Sequence, residues 1–188
     1  TMKFKALQSA TLSLLFVLTF LFTAQHTQAS SAAARDHLTP QEADLVRDAQ
    51  ELDKRTAVFI KAAERRLLLI GDPNAGKQMQ KDVEKWGEPK GTRADFLYDI
   101  YKILDEAITN IEDVGARDER NPLIPKSVRK LAEASTRMLQ QLAPLRDKVT
   151  GDRERNSLER AIENAEDIVA AANKLPAEKS KKKSGEKQ

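Results

Sequence analysis

Residues 39–77 read TPQEADLVRDAQELDKRTAVFIKAAERRLLLIGDPNAGK, and whether this stretch is a helix or a strand feeding a loop decides the fold of the chain. Thr39 has the chemistry of an N-cap, Pro40 suits the first helical position, and Glu42 completes a T-x-x-E capping box. Apolar or small residues then recur at Leu45, Ala49, Leu52, Thr56, Phe59, Ala63 and Leu67, in alternating steps of four and three. That spacing puts them on one face of a helix. Thr39 to Asp53 holds five acids and one base, and Lys54 to Ile70 holds five bases and one acid, a polarity that complements the helix dipole. The spacing therefore predicts a single helix from Thr39 to Ile70, a rod of about 48 Å at 1.5 Å per residue, stopped by Gly71 and Pro73.

The end of the same stretch resembles something else. Gly71 and Gly76-Lys77 have the spacing G-x-x-x-x-G-K of the Walker A loop of P-loop NTPases, which implies backbone amides cradling phosphate and a lysine neutralising it. The next residue is Gln78, where that family uses Ser or Thr to hold magnesium. A phosphate loop must also follow a buried strand, yet Leu67 to Ile70 continue the helical seam directly after Glu64-Arg65-Arg66. The one candidate acidic partner strand, Ile100 to Asp105, is interrupted by Lys102 within another helical pattern. Helix stop and loop is the expected reading of Gly71 to Lys77.

A second resemblance lies at the start. Leu38-Thr39-Pro40-Gln41-Glu42 is similar to the L-T-x-x-Q signature of periplasmic stress chaperones of the Spy and CpxP type, with Gln at 41 rather than at 42. The resemblance implies a small all-helical cradle that holds unfolded clients; the capping box accounts for the same five residues.

Ahead of this helix, Lys3 and Lys5 precede the apolar run Leu12 to Phe22, and Thr27-Gln28-Ala29 places small residues before Ser30. Charged, apolar and small-residue regions in that order predict a secretory signal peptide over residues 1–29, and Ala34 offers a second cleavage point. The run is shorter than the roughly 20 residues that span a bilayer, so no integral membrane segment is expected after cleavage. Residues 30–38 read as a flexible leader, 39–175 as the helical domain, and 176–188 as a disordered Lys-rich tail. The net charge of +3 comes from the two ends; the body between them is mildly acidic. With no cysteine in 188 residues, disulfides, thiolate chemistry and an N-terminal lipidated Cys are excluded.

After the first helix, Gln78 to Trp86 predicts a short helix with the lone tryptophan as a plug over the end of the core. Gly71 to Gly91 is thus an elaborated connection. Thr92, with Asp95 three residues on, caps a second long helix whose seam is Leu97, Ile100, Leu104, Ala107, Ile111 and Val114, closed by Gly115. Asp95, Asp99, Glu106 and Asp113 are expected on its solvated face. Pro125 starts a third helix, with Val128, Leu131, Ser135, Met138, Leu142, Leu145 and Val149 in phase through Pro144, read as one kinked helix. Helix two is acidic and helix three basic, which favours placing them side by side. The turn Thr150-Gly151-Asp152 leads into helix four, with Leu158, Ile162, Ala165, Val169 and Ala172 inward. The expectation is an all-α, antiparallel up-and-down four-helix bundle with a long first helix.

Composition narrows the chemistry. A Ser-His-Asp arrangement would have to use His37 on the leader, and no Glu-x-x-His pair exists for a di-iron site. The paired carboxylates lie on charged helix faces with nothing to mark a cleft that raises a pKa. No catalytic, cofactor-binding or metal-binding residue is assigned, and no cofactor is expected. The tail has lysines but no aromatic or arginine, so no nucleic-acid partner is expected. The functional expectation is an exported, periplasmic or secreted, non-enzymatic interaction or structural protein of the cell envelope with a protein partner. A chaperone-like stress protein is the alternative, and a carboxylate-based metal binder comes third.

Overall fold

The computed structural model describes residues 35–72 and 74–176. The expected signal peptide at 1–29, leader residues 30–34 and tail residues 177–188 lie outside the described residues. From Asp36 onward the described residues belong to one compact unit, and every regular element in them is helical.

Thr39 caps helix α1 (Pro40–Asp48) as its chemistry requires. The Glu42 amide donates to Thr39 Oγ1 at 3.1 Å, and Glu42 Oε2 accepts from the Thr39 amide at 2.9 Å. The helix then stops, against the expectation of one rod. Ala49 leaves the helical region with ψ 89°, and a new helix, α2 (Leu52–Gly71), begins after Glu51 in extended conformation. Polar side chains hold the break: Gln50 Nε2 donates to the Arg47 carbonyl at 3.1 Å, and Arg55 Nε to the Ala49 carbonyl at 3.0 Å. The correction is large in space. On a straight rod Glu42 and Arg65 would stand about 35 Å apart; in the fold Arg65 donates to Glu42 at 2.6 Å. Helix α1 therefore doubles back along α2.

Leu67 to Ile70 are helical, as the rejection of the phosphate loop requires. Gly76 and Lys77 lie inside a short helix, α3 (Ala75–Met79), and local acceptors occupy three of the amides of this segment. The Asn74 amide donates to Asp72 Oδ1 at 2.7 Å, the Ala75 amide to the Asp72 carbonyl at 3.0 Å, and the Lys77 amide to the Asn74 carbonyl at 3.0 Å. The connection continues through a 3₁₀ turn, Gln80–Asp82, into α4 (Val83–Trp86). Met79 is buried, so this elaborated connection adds to the core rather than hanging off it.

The second long helix, α5 (Arg93–Arg117), has the expected Thr92–Asp95 capping box and runs two residues past Gly115. Helix α6 (Leu123–Leu142) starts two residues before Pro125, where Asn121 Oδ1 accepts from the Leu123 amide at 2.9 Å. It does not continue as a kinked α-helix. Pro144 cannot donate, and its ring crowds the preceding turn, so Ala143–Lys148 tightens to 3₁₀ geometry. The phase survives, since Leu142 and Val149 are both buried. Helix α7 (Asp152–Asn173) follows the turn at Gly151.

Cross-helix contacts give the direction of each pair. Arg55 meets Asn110 and Arg66 meets Asp99, so α2 and α5 run antiparallel. Lys126 meets Asp53 and Arg137 meets Glu64, so α2 and α6 run parallel. Arg153 pairs with Asp95, and Arg160 donates to Tyr101 Oη, so α5 and α7 run parallel. Arg146 pairs with Glu159, and Arg129 reaches the Pro176 carbonyl, so α6 and α7 run antiparallel. These four pairings are extensive, whereas α5 and α6 touch only slightly. The acidic second and basic third long helices are not side by side, as their charges alone had suggested. Their charges go to α7 and α2 instead, and apolar burial sets the pairing because exposed ion pairs are individually weak. The shared core comprises Phe59, Leu97, Ile100, Leu104, Leu131, Met138, Leu158 and Ile162, each at 1% exposure or less.

Candidate functional site

Folding α1 back onto α2 brings together charges that the sequence leaves far apart. Glu42, Arg66 and Asp99 are each at most 1% exposed, and Arg65 is at 3%. Glu42 Oε1 accepts from Arg65 at 2.6 Å and from Arg66 at 2.5 Å. Arg66 Nε stands 3.7 Å from Asp99 Oδ2, too far for a good hydrogen bond but close enough for strong attraction in a site shielded from water. Two carboxylates and two guanidiniums make the cluster neutral, which is the condition for burying it at all.

Other guanidinium donors reach two further backbone segments, while Arg65 Nε and Arg66 Nε make no hydrogen bond. Arg66 donates to the His37 carbonyl at 2.8 Å, and Arg65 donates to the carbonyls of Trp86 at 3.1 Å and Gly87 at 2.5 Å. Thr39 Oγ1 donates to the Trp86 carbonyl at 2.6 Å. The segment before α1, the start of α1 and the end of the elaborated connection are thus all tied to one turn of α2. His37 adds a bridge of its own to Glu106 at 2.6 Å, and Leu38 packs against the core. Trp86 is half-buried, with the Arg65 guanidinium 5.8 Å from its ring centroid; it covers the cluster, a position related to the plug expected from its spacing.

Gly87 makes the approach possible. Its φ is 67° with ψ 177°, a region essentially reserved for glycine. A Cβ there would lie 2.4 Å from Gln41 Oε1 and 2.8 Å from Thr39 Oγ1.

Sequence reasoning missed this cluster. Asp99 was expected on the solvated face of the second long helix, and it is buried; Asp95 and Glu106 are engaged by Arg153 and His37. The one available signal was the pair Arg65-Arg66 set between Ala62-Ala63 and Leu67 of the helical seam.

The other buried acids, Asp53 and Glu154, are also held by cations. The hydrogen bond from Arg93 holds Glu154 below the usual carboxylate range, and that from Arg146 does the same for the exposed Glu159. The hydrogen bond from Lys126 lowers Asp53. A general acid needs the opposite shift. Among the described residues, no group of three or more acids, histidines or cysteines is gathered where it could hold a metal ion. An open cleft beside the edge-to-face pair Tyr98 and Tyr101 is crossed by Arg160, which donates to Tyr101 Oη at 3.0 Å and lies 5.2 Å from the Tyr101 ring centroid.

Fold and site define an all-α protein whose best-built polar feature is a buried, charge-balanced ion cluster. No family model, curated protein or solved structure matches the chain.

Proposed function

We propose that the chain is an exported, non-enzymatic interaction or structural module of the cell envelope, built as a four-helix bundle. In this reading its second and third long helices lie across the diagonal. The observation that carries it is the disposition of the ionisable groups. Glu42 and Asp99 are buried against arginines, and the acids with shifted titration, Asp53, Glu154 and Glu159, are all pushed down by cations. Such groups hold a scaffold rigid; they do not hold a proton ready for transfer. The Lys3, Lys5 and Leu12–Phe22 pattern supports export, and among the described residues no helix is long and apolar enough to cross a membrane.

The chaperone-like alternative has less to draw on. Of Leu38-Thr39-Pro40-Gln41-Glu42, Thr39 and Glu42 are committed to the capping box and the ion cluster, and Leu38 to the core.

The test is fractionation of cells expressing the full chain, with N-terminal sequencing and in-cell crosslinking. The expected result is an exported product beginning at Ser30 or just after Ala34 and crosslinked to an envelope protein. An intact chain retained in the cytosol overturns the proposal.

A further inference from the structure

At the end of the helices opposite the ion cluster, a cavity of about 290 Å³ opens between α5 and α7, with α6 as its floor. Its deepest residues, Ile111, Leu131 and Ile168, are at most 7% exposed, and Ile108 and Val128 form half-buried walls. Two exposed carboxylates, Glu112 from α5 and Asp167 from α7, stand at its rim. Among the described residues neither carboxylate takes part in a hydrogen bond or an ion pair, unlike the buried acids of this fold.

Helix polarity does not set the charge here, because α5 and α7 end on this side, α5 with Arg117 in its last turn, while α6 begins on it. The two unpaired carboxylates beside an apolar slot favour a cation joined to an apolar group.

Size and shape narrow the source. The cavity is at the small end of the ~300–1,000 Å³ range of ligand-enclosing sites and is open on one side, which suits side chains presented by a polypeptide. The chain's own tail, Ala177 to Gln188, has lysines but no apolar residue after its first alanine, so it could neutralise the rim without filling the slot. We infer that the slot between α5 and α7 docks a partner polypeptide segment in which apolar side chains sit beside lysine or arginine, in the helix-in-groove manner. The inference rests on the interaction-module reading for the kind of partner it names.

The test is a fluorescence-anisotropy titration of the full chain with three labelled 14-residue peptides: an amphipathic Leu/Lys helix, the same peptide with Glu for Lys, and the same peptide with Ser for Leu. The Leu/Lys peptide should bind, and each control should bind at least about tenfold more weakly, since charge and apolar contact are both required. The double variant Glu112→Gln/Asp167→Asn, whose positions are exposed, should weaken binding and flatten its salt dependence without changing the melting temperature. Ala171→Trp, at an exposed position lining the slot, should block binding by about tenfold or more. Equal binding of all three peptides, no binding of the Leu/Lys peptide, or binding unaffected by Ala171→Trp overturns the inference. So does a dimer of the chain alone that Ala171→Trp abolishes, because the occupant is then a second copy. If the peptide fails while in-cell crosslinking still traps an envelope protein, the slot falls and the interaction-module reading stands.

Discussion

Beside the C-terminal turns of α2, Glu42, Arg65, Arg66 and Asp99 are buried and matched charge for charge; at the opposite end, Glu112 and Asp167 stand exposed and unmatched beside an apolar slot. Both ends carry carboxylates on helices, so residue type does not distinguish them. What differs is what the charges face. At the first end each arginine points at a carboxylate and at carbonyls of a second segment, so the charges cross-link the chain. At the second end they face solvent, where cancelling them falls to another molecule. Matched buried charge marks architecture, and unmatched rim charge beside apolar surface marks recognition.

Truncating the ion cluster should have the largest effect. Glu42→Ala strands the buried Arg65 guanidinium, leaves Arg66 with Asp99 alone, and is expected to destabilise the protein by about 3–5 kcal/mol in denaturant unfolding. Glu112→Ala at the other end should change stability by no more than about 0.5 kcal/mol. A small effect of Glu42→Ala would erase the contrast. Next in size, Gly87→Ala forces a Cβ into Thr39 and Gln41 at a backbone conformation suited to glycine. A loss of about 1–3 kcal/mol is expected, read as a lower melting temperature.

How much of this contrast could be read from the sequence follows from where the information lies. The capping boxes at Thr39 and Thr92 and the inward residues Phe59, Leu97, Ile100, Leu104, Leu131 and Leu158 were legible because they are local or periodic. The helical state of Leu67 to Ile70 was legible for the same reason. The fold-back was not. Leu45, Ala49, Leu52 and Thr56 keep one helical phase across Ala49–Glu51, so the spacing gives no sign of the break, which is held by Gln50 and Arg55 side chains. With the break hidden, Glu42 could not be placed against Arg65 and Arg66, nor could Asp99 be assigned to the interior. The pairing of α5 with α7 rather than α6 was equally out of reach, because net charge per helix is a weak guide to neighbours.

Smaller effects sharpen the comparison. Thr39→Ala removes the α1 cap and a bond to the Trp86 carbonyl, and a loss of about 1 kcal/mol is expected. The acid limb of stability should report the pairs Arg93–Glu154 and Arg146–Glu159. Glu154 and Glu159 are held below the ordinary glutamate value of 4.5 by Arg93 and Arg146. Their stabilisation is therefore complete above that value and lost as pH falls through the lower folded pKa. Arg93→Gln and Arg146→Gln should each flatten the fall in melting temperature below about pH 5; an unchanged limb in both would remove these pairs from the stability of the fold.

The fold-back itself is open to direct measurement because the chain contains no cysteine. Nitroxide labels at Asp44→Cys on α1 and Leu68→Cys on α2, both exposed, give one inter-label distance by double electron–electron resonance. A continuous helix would separate these positions by about 36 Å. The folded-back helix pair should give a distribution well below that value, since Glu42 touches Arg65 and Arg66. A peak at about 36 Å, the rod length, would contradict it.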